Sequence, residues 1–271
     1  MNNNKGLLVS TLLGGLVVMT PCHANGNIES DINGQWVVKN VYVNSNNASR
    51  PDIISDDPNL VGRIINFDKK GISGSILVAK GCDSPSYNKK ESVTAGQLLN
   101  LTAGEDEKSN NNLASDYGLP LSAKDPVSAY EVTCKSGMFG PSGEKVGNWI
   151  IEKNNNELLT NWNSQTYLLL KKLPSNPKPA PSFDCAKASS DTEKAICSNV
   201  ELSGWDKSVA QAYSIAVKQI NSIDVDVKDK LATLRSAQSN WIKKRNECGG
   251  DASCLSEKMQ SRVSELVEAS K

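Results

Sequence analysis

The chain has almost no histidine: the one imidazole in 271 residues is His23, inside an N-terminal stretch that reads as a leader. A working protein without histidine has no Ser-His-Asp or Cys-His machinery, no imidazole general base and no histidine-bound zinc. Net charge is missing too, with 30 basic against 30 acidic residues. Gripping nucleic acid needs clustered Lys and Arg to displace counterions from phosphates, so nucleic acid is excluded as a partner. Phenylalanine is scarce, and only Phe67 and Phe139 precede a proline-rich joint. That is thin for a lipid cavity lined by apolar side chains. Long apolar runs are absent as well. The longest, Gly6 to Met19, is shorter than the roughly 20 residues that span a bilayer, so no stable membrane span is expected.

That short run follows Lys5 and is closed by Pro21 and the small-residue exit Cys22-His23-Ala24, the pattern of a secretory signal peptide. Residues 1–24 are the expected leader, cleaved after Ala24. The alternative is a lipoprotein acylated on Cys22, although Pro21 fits a lipobox poorly. Cleavage leaves 29 basic and 30 acidic residues, six cysteines and no histidine. The expected location is the periplasm or the exterior of a bacterium. Disulfides persist in such oxidising compartments, so the six thiols are expected to be structural. No catalytic residue, cofactor site or metal site is expected. Asp56 and Asp57 are adjacent carboxylates, which on an extended strand point to opposite faces and cannot straddle a glycosidic bond. In a turn before Pro58 they would cap or bind an ion.

Pro174, Pro177, Pro179 and Pro181 mark an extended, semi-rigid spacer. The expected architecture is α+β in two domains: a β domain over 25–172, a linker over 173–182 and a helical domain over 183–271. Before the linker, β-branched and apolar residues come in short runs at Gln35–Val43, Gly62–Phe67, Ser73–Ala79, Ala129–Lys135, Trp149–Lys153 and Gln165–Lys172. Lys69-Lys70-Gly71 and Asn154-Asn155-Asn156 suit tight reversals. Six or more such strands imply a small antiparallel barrel or sandwich. The stretch Gly104 to Asn112 is too polar for a core and reads as an excursion on the rim.

After the linker the period becomes helical. Leu202, Trp205, Val209, Ala212, Tyr213, Ala216 and Ile220 form one stripe, Val227, Leu231, Leu234, Gln238 and Trp241 a second, and Leu255, Met259, Val263 and Leu266 a third. Ser190 and Glu193 match a capping box opening a short helix that ends at Cys197. Cys82 and Cys134 are the only cysteines between leader and linker, and should bond each other. Cys185 with Cys197 and Cys248 with Cys254 are the expected local pairs of a stapled bundle, a crossed Cys185–Cys254 pattern being the alternative.

Several spaced anchors carry a family resemblance: Phe183-Asp184-Cys185-Ala186-Lys187-Ala188, Glu193-Lys194-Ala195-Ile196-Cys197, Leu202 with Asp206 and Tyr213, then Leu234, Gln238, Trp241, Arg245, Cys248, Cys254-Leu255 and Arg262. Over about residues 182–269 the chain resembles the LprI-like lysozyme-inhibitor family. Trp205, where the family more often has an aliphatic residue, and Met259, where an aromatic is common, depart from its pattern. The resemblance implies an exported, non-enzymatic protein that binds a lysozyme-type wall hydrolase and blocks its cleft. The β domain resembles a small lipocalin-like module, with Gly34-Gln35-Trp36 opening its first strand.

Candidate partner contacts are of two kinds. In the loop Cys134 to Val146, Met138, Phe139 and Lys145 stand among small residues near the expected Cys82–Cys134 bridge, where an exposed aromatic would enter a cleft. The competing expectation is that Phe139 folds into the core. Arg245 and Arg262 are placed to reach the paired carboxylates of a lysozyme cleft, against an internal ion pair with Asp206 or Glu193. Two further functions remain open: immunity against an antibacterial effector delivered by a neighbouring cell, and small-ligand binding by the β domain.

Overall fold

The computed structural model describes residues 28–44, 53–77, 81–102, 113–139, 148–163, 166–222 and 225–270. The leader with Cys22 and the excursion at 104–112 lie outside the described residues. A short helix α1 (Ile28–Ile32) leads into β1 (Gly34–Val43), β2 (Ile64–Phe67), β3 (Gly71–Gly74), β4 (Cys82–Asp83) and β5 (Ser86–Lys90). Two helices follow, α2 (Ala95–Thr102) and α3 (Leu113–Asp116). Then come β6 (Ser128–Thr133), β7 (Ser136–Gly137), β8 (Trp149–Asn154), β9 (Glu157–Asn163) and β10 (Thr166–Lys172).

The strands form one antiparallel sheet in the order β5-β6-β8-β9-β10-β1-β2-β3-β4-β7. It curls into a half-barrel, and its two ends are joined by the chain itself, because β6, next to one end of that order, leads directly in sequence into β7 at the other end. The Cys82–Cys134 disulfide ties the same seam covalently. Reversals form where polar turn residues satisfy the backbone: Asp68 Oδ1 accepts from the Lys70 amide (2.7 Å) and Asn154 Oδ1 from the Asn156 amide (2.9 Å).

Strand alternation divides the core in two. Trp36, Val38, Ile65, Phe67, Ile150, Leu158, Leu168 and Leu170 fill the concave side. Trp149, Ile151, Leu159 and Tyr167 point to the other side, where α2 and α3 cover them with Leu98, Leu99, Leu113 and Tyr117. Both faces of β10 are therefore covered, which accounts for its unbroken apolar run Tyr167 to Leu170. Thr102 of α2 and the Tyr167 hydroxyl share a buried hydrogen bond of 2.8 Å.

The structure holds several elements that the sequence does not announce, α1, β4, β5, α3 and β7 among them, and three other differences have a local physical reason. Strand β3 runs Gly71–Gly74 rather than Ser73–Ala79, because residues 75–76 turn away from the sheet. Gly74 passes so close to β2 that a Cβ there would lie 2.5 Å from the Ile64 carbonyl oxygen. Strand β9 was not expected, since Thr160 and Asn161 read as polar; Thr160 is buried and donates to the Trp149 carbonyl at 2.8 Å. Helix α2 was also missed, although its start carries a Thr-x-x-Gln capping pair: the Thr94 amide donates to Gln97 Oε1 (2.8 Å) and Thr94 Oγ1 accepts from the Gln97 amide (3.4 Å).

Beyond the prolines, a single 3-10 turn at Cys185–Lys187 precedes α4 (Asp191–Ser198), α5 (Val200–Ser222), α6 (Val227–Asn246) and α7 (Ala252–Glu268). The capping box at Ser190 and Glu193 is complete. The disulfides close locally, Cys185 to Cys197 and Cys248 to Cys254, so the crossed pattern does not occur. Leu202, Trp205, Val209, Ala212 and Ala216 of α5 pack on Leu255, Met259, Val263 and Leu266 of α7.

One seam joins sheet and helices. Between β1 and β2 the chain turns through Asp57, whose carboxylate accepts from the Ile54 and Asn59 amides, and delivers Arg63 to α5. Asp56 accepts from the Val41 amide of β1 (3.0 Å), so Asp57 caps the turn and Asp56 fastens it to the strand. Arg63 is wholly buried; its guanidinium lies 3.2 Å from the centroid of the Trp205 ring and donates to Ser208 Oγ at 2.9 Å. Its Nε and Nη1 have no hydrogen-bond partner among the described residues. Burial pushes its pKa down to about 9, with Glu201 pulling it partly back up. Gly204 permits this contact, because a Cβ there would sit 3.0 Å from the Gly62 carbonyl oxygen. Gln211 donates to the Asp56 carbonyl (3.0 Å) and Ser264 to Asn59 Oδ1 (3.0 Å) on either side.

Trp205→Ala is expected to cost about 3–5 kcal/mol, the usual range for truncating a buried Trp, and to separate the melting of sheet and helices. Scanning calorimetry reads both; a loss below about 1 kcal/mol with one shared transition would remove Arg63 and Trp205 from that role. At α4, amide and hydroxyl donors of Ser189 and Ser190 hold the Glu193 pKa down at about 2, from an ordinary 4.5. A lowered carboxylate pKa contributes stability above 4.5 that is lost as pH falls toward 2. Glu193→Gln should therefore lower the melting temperature at neutral pH and flatten its pH dependence in that window. Parallel curves for both proteins would contradict this.

Candidate functional site

The loop candidates do not form an exposed probe. Phe139 is 1% exposed and packs on Phe67 with ring centroids 5.9 Å apart. The reason is strand pairing: β7 pairs with β4, and the Met138 amide donates to the Gly81 carbonyl at 2.7 Å. Phe139 is thereby turned into the barrel, and the expectation of an exposed aromatic is corrected. Met138 is half-buried. Lys145 lies outside the described residues.

The two arginines are used internally. Arg245 is buried, with Nη1 3.5 Å from Asp206 Oδ1 and its guanidinium 5.4 Å from the Trp241 ring centroid. Burial lowers its pKa, while Asp206 and Glu193 oppose that shift. Asp206 also accepts from the Ser182 amide (2.7 Å) and hydroxyl (2.6 Å), so one carboxylate fastens the end of the proline-rich segment to α5 and α6. Arg262 is 8% exposed; its Nε donates to Gln238 Oε1 (3.0 Å) and its Nη1 to Glu265 Oε2 (3.0 Å). Its Nη2 has no hydrogen-bond partner among the described residues.

Helix α6 differs from its neighbours. Eight residues of α5 and six of α7 are buried, but in α6 only Arg245 is. The stripe Val227, Leu231, Leu234, Gln238 and Trp241 does turn inward, yet each of these residues stays half-buried. The helix stands off from the bundle and leaves a groove of about 340 Å³ against α7, lined by Ala237, Asn240, Trp241, Lys244, Lys258, Ser261, Arg262 and Glu265. Lys244 and Lys258 are exposed and make no ion pair or hydrogen bond among the described residues. Helix α6 carries six basic residues and one acidic residue, Asp229, so a chain with no net charge concentrates positive charge here.

Sequence reasoning passed over Lys244 and Lys258. The run Lys243-Lys244-Arg245 in a last helical turn reads as a complement to the helix dipole, and nothing local says that a groove lies beside it. A second opening, about 360 Å³ between Gln35, Asn66 and Gly74 of the sheet and Asn199 and Glu201 of the helices, is as large but has Glu201 as its one charged lining residue. The pocket at the end of the half-barrel, beside Phe67 and Tyr87, holds about 70 Å³, well below the roughly 300 Å³ at which small-ligand pockets begin. Among the described residues no group of three His, Cys, Asp or Glu side chains is placed to hold a metal ion, and no helix is long and apolar enough to cross a membrane.

No solved structure matches the chain. Lipoprotein LprI of Mycobacterium bovis and of Mycobacterium tuberculosis is 28% identical to it over 97 residues, covering 35% of this chain and 45% of the relative. The chain thus spans less than half the length of the curated relatives it matches. Residues 185–266, from the first cysteine of the helical part to Leu266 in α7, match the family described as lysozyme inhibitor LprI. The disulfide-stapled helical region of this chain is a domain of that family.

Proposed function

We propose that the chain is an exported, non-enzymatic inhibitor of a lysozyme-type cell-wall hydrolase, acting by covering the enzyme's cleft. The observation that carries this reading is the family match over the stapled helices, residues 185–266. Three disulfides support a location outside the cytoplasm, since such bonds persist in oxidising compartments. The relatives are named lipoproteins, which points the same way. Two rigid features suit an inhibitor. The staples hold α4 and α7 at fixed ends, and the Arg63 seam presents the helices on a large β scaffold, which limits the ordering cost of binding. The β half contributes as support; its interior is filled by Trp36, Phe67 and Phe139, which argues against carriage of a small ligand.

The full chain, with its leader removed, is expected to slow lysis of cell-wall suspensions by at least one of the c-type, g-type and bacterial muramidases, with one-to-one stoichiometry. Activity of all three classes unchanged at saturating protein would sink the reading and favour a search for a delivered effector as the partner. Export is checked separately. Mass spectrometry of the protein from its native envelope should find Asn25 as the first residue. A diacylated Cys22 in that position would replace cleavage after Ala24 with lipid anchoring.

A further inference from the structure

The helical domain has two broad faces, and only one is free. The segment from Ile53 to Arg63 covers the α5 face: Ile54 packs on the helical core, Arg63 on Trp205, and Gln211 on the Asp56 backbone. The proline-rich segment occupies more of it, through Ala180 to Ser203 and Ser182 to Asp206. On the α6 side, the structure instead leaves a helix with one buried residue and the groove beside α7.

That groove has a defined chemistry. Lys244 on α6 and Lys258 on α7 face it from opposite walls, and neither is answered by a carboxylate among the described residues. The only acidic side chain lining it, Glu265, is already bound to Arg262. Arg262 is itself more than nine-tenths buried beneath the groove, with one guanidinium nitrogen unpartnered. An unanswered cationic site of this kind favours an anionic group that also fits beside the half-buried Trp241 ring. Its volume of about 340 Å³ admits a few side chains of an apposed loop.

We propose that the α6–α7 groove is the seat for a carboxylate-bearing loop of the target hydrolase, gripped by Lys244 and Lys258 against Trp241 with the Arg262 charge beneath. This rests on the inhibitor reading and gives it a surface. Charge complementarity across an interface sets specificity and association rate.

The experiment is calorimetric binding of the full chain to whichever hydrolase it inhibits. Lys244→Glu combined with Lys258→Glu is expected to weaken binding by about tenfold or more, mainly through slower association. As a control, Lys228→Glu with Arg235→Glu changes the net charge equally on the opposite flank, since Arg235 lies about 180° around the helix from Lys244. This pair should leave affinity within about twofold. Ser261→Trp, which plugs the groove without altering charge, should weaken binding as the first pair does. Wild-type affinity in the Lys244/Lys258 variant would overturn the groove while leaving the inhibitor reading intact. Equal losses in both charge pairs, with Ser261→Trp unaffected, would also overturn it, as attraction without a seat. A wild-type chain that binds none of the hydrolases would overturn both readings together.

Discussion

A guanidinium removed from water must find something to answer its charge, and Arg63 finds an aromatic face and one hydroxyl rather than a carboxylate. Cation–π attraction grows when the pair is desolvated, to about 2 kcal/mol or more, and the planar guanidinium stacks on Trp205 in a way a lysine would not. The arrangement works only as a unit. Gly204 lets the backbones approach, Ser208 takes a donor, and the turn capped by Asp57 aims the side chain. Withdrawing the indole would strand a buried cation, which is why sheet and helices hold one arrangement.

The same seam sorts the surface into scaffold and working face. With α5 committed to the sheet, α6 is left as the helix that packs least, and its polar and basic residues remain in water. A helix so lightly held contributes little to the core, so its sequence is freer to answer a partner than to satisfy the fold. The groove cations are consistent with that division: both free lysines sit at positions where packing makes no demand.

Much of this was legible in the sequence, for identifiable reasons. Helical stripes with a 3.6-residue period reveal which face turns inward, and α5 and α7 obey them. The period does not reveal how closely a neighbour approaches, so the half-buried stripe of α6 looked no different. The capping box at Ser190 was readable because both partners lie within three residues and a helical period follows; the equivalent pair at Thr94 and Gln97 opens a helix just as long, but it lies within a region whose other runs read as strands. Phe139 stood open between loop and core, because glycine and serine around an aromatic suggest a loop, whereas pairing with a strand far away in sequence decides where the ring points and turns it into the core. Arg63 was the least legible. Its hydroxyl partner lies 145 positions along the chain, and no local pattern signals a contact of that kind.

The covalent seam in the half-barrel has a mechanical consequence. Cys82 and Cys134 enclose 52 residues' worth of chain, including β5, α2 and β6. A tension applied between the two ends of the protein passes through the sulfur bridge and never loads the enclosed loop. Fully drawn out, that loop would add roughly 170–190 Å of length. With the bridge intact the protein is therefore a much shorter tether than its residue count suggests, and a reductant would convert it into a longer, softer one without cutting a peptide bond.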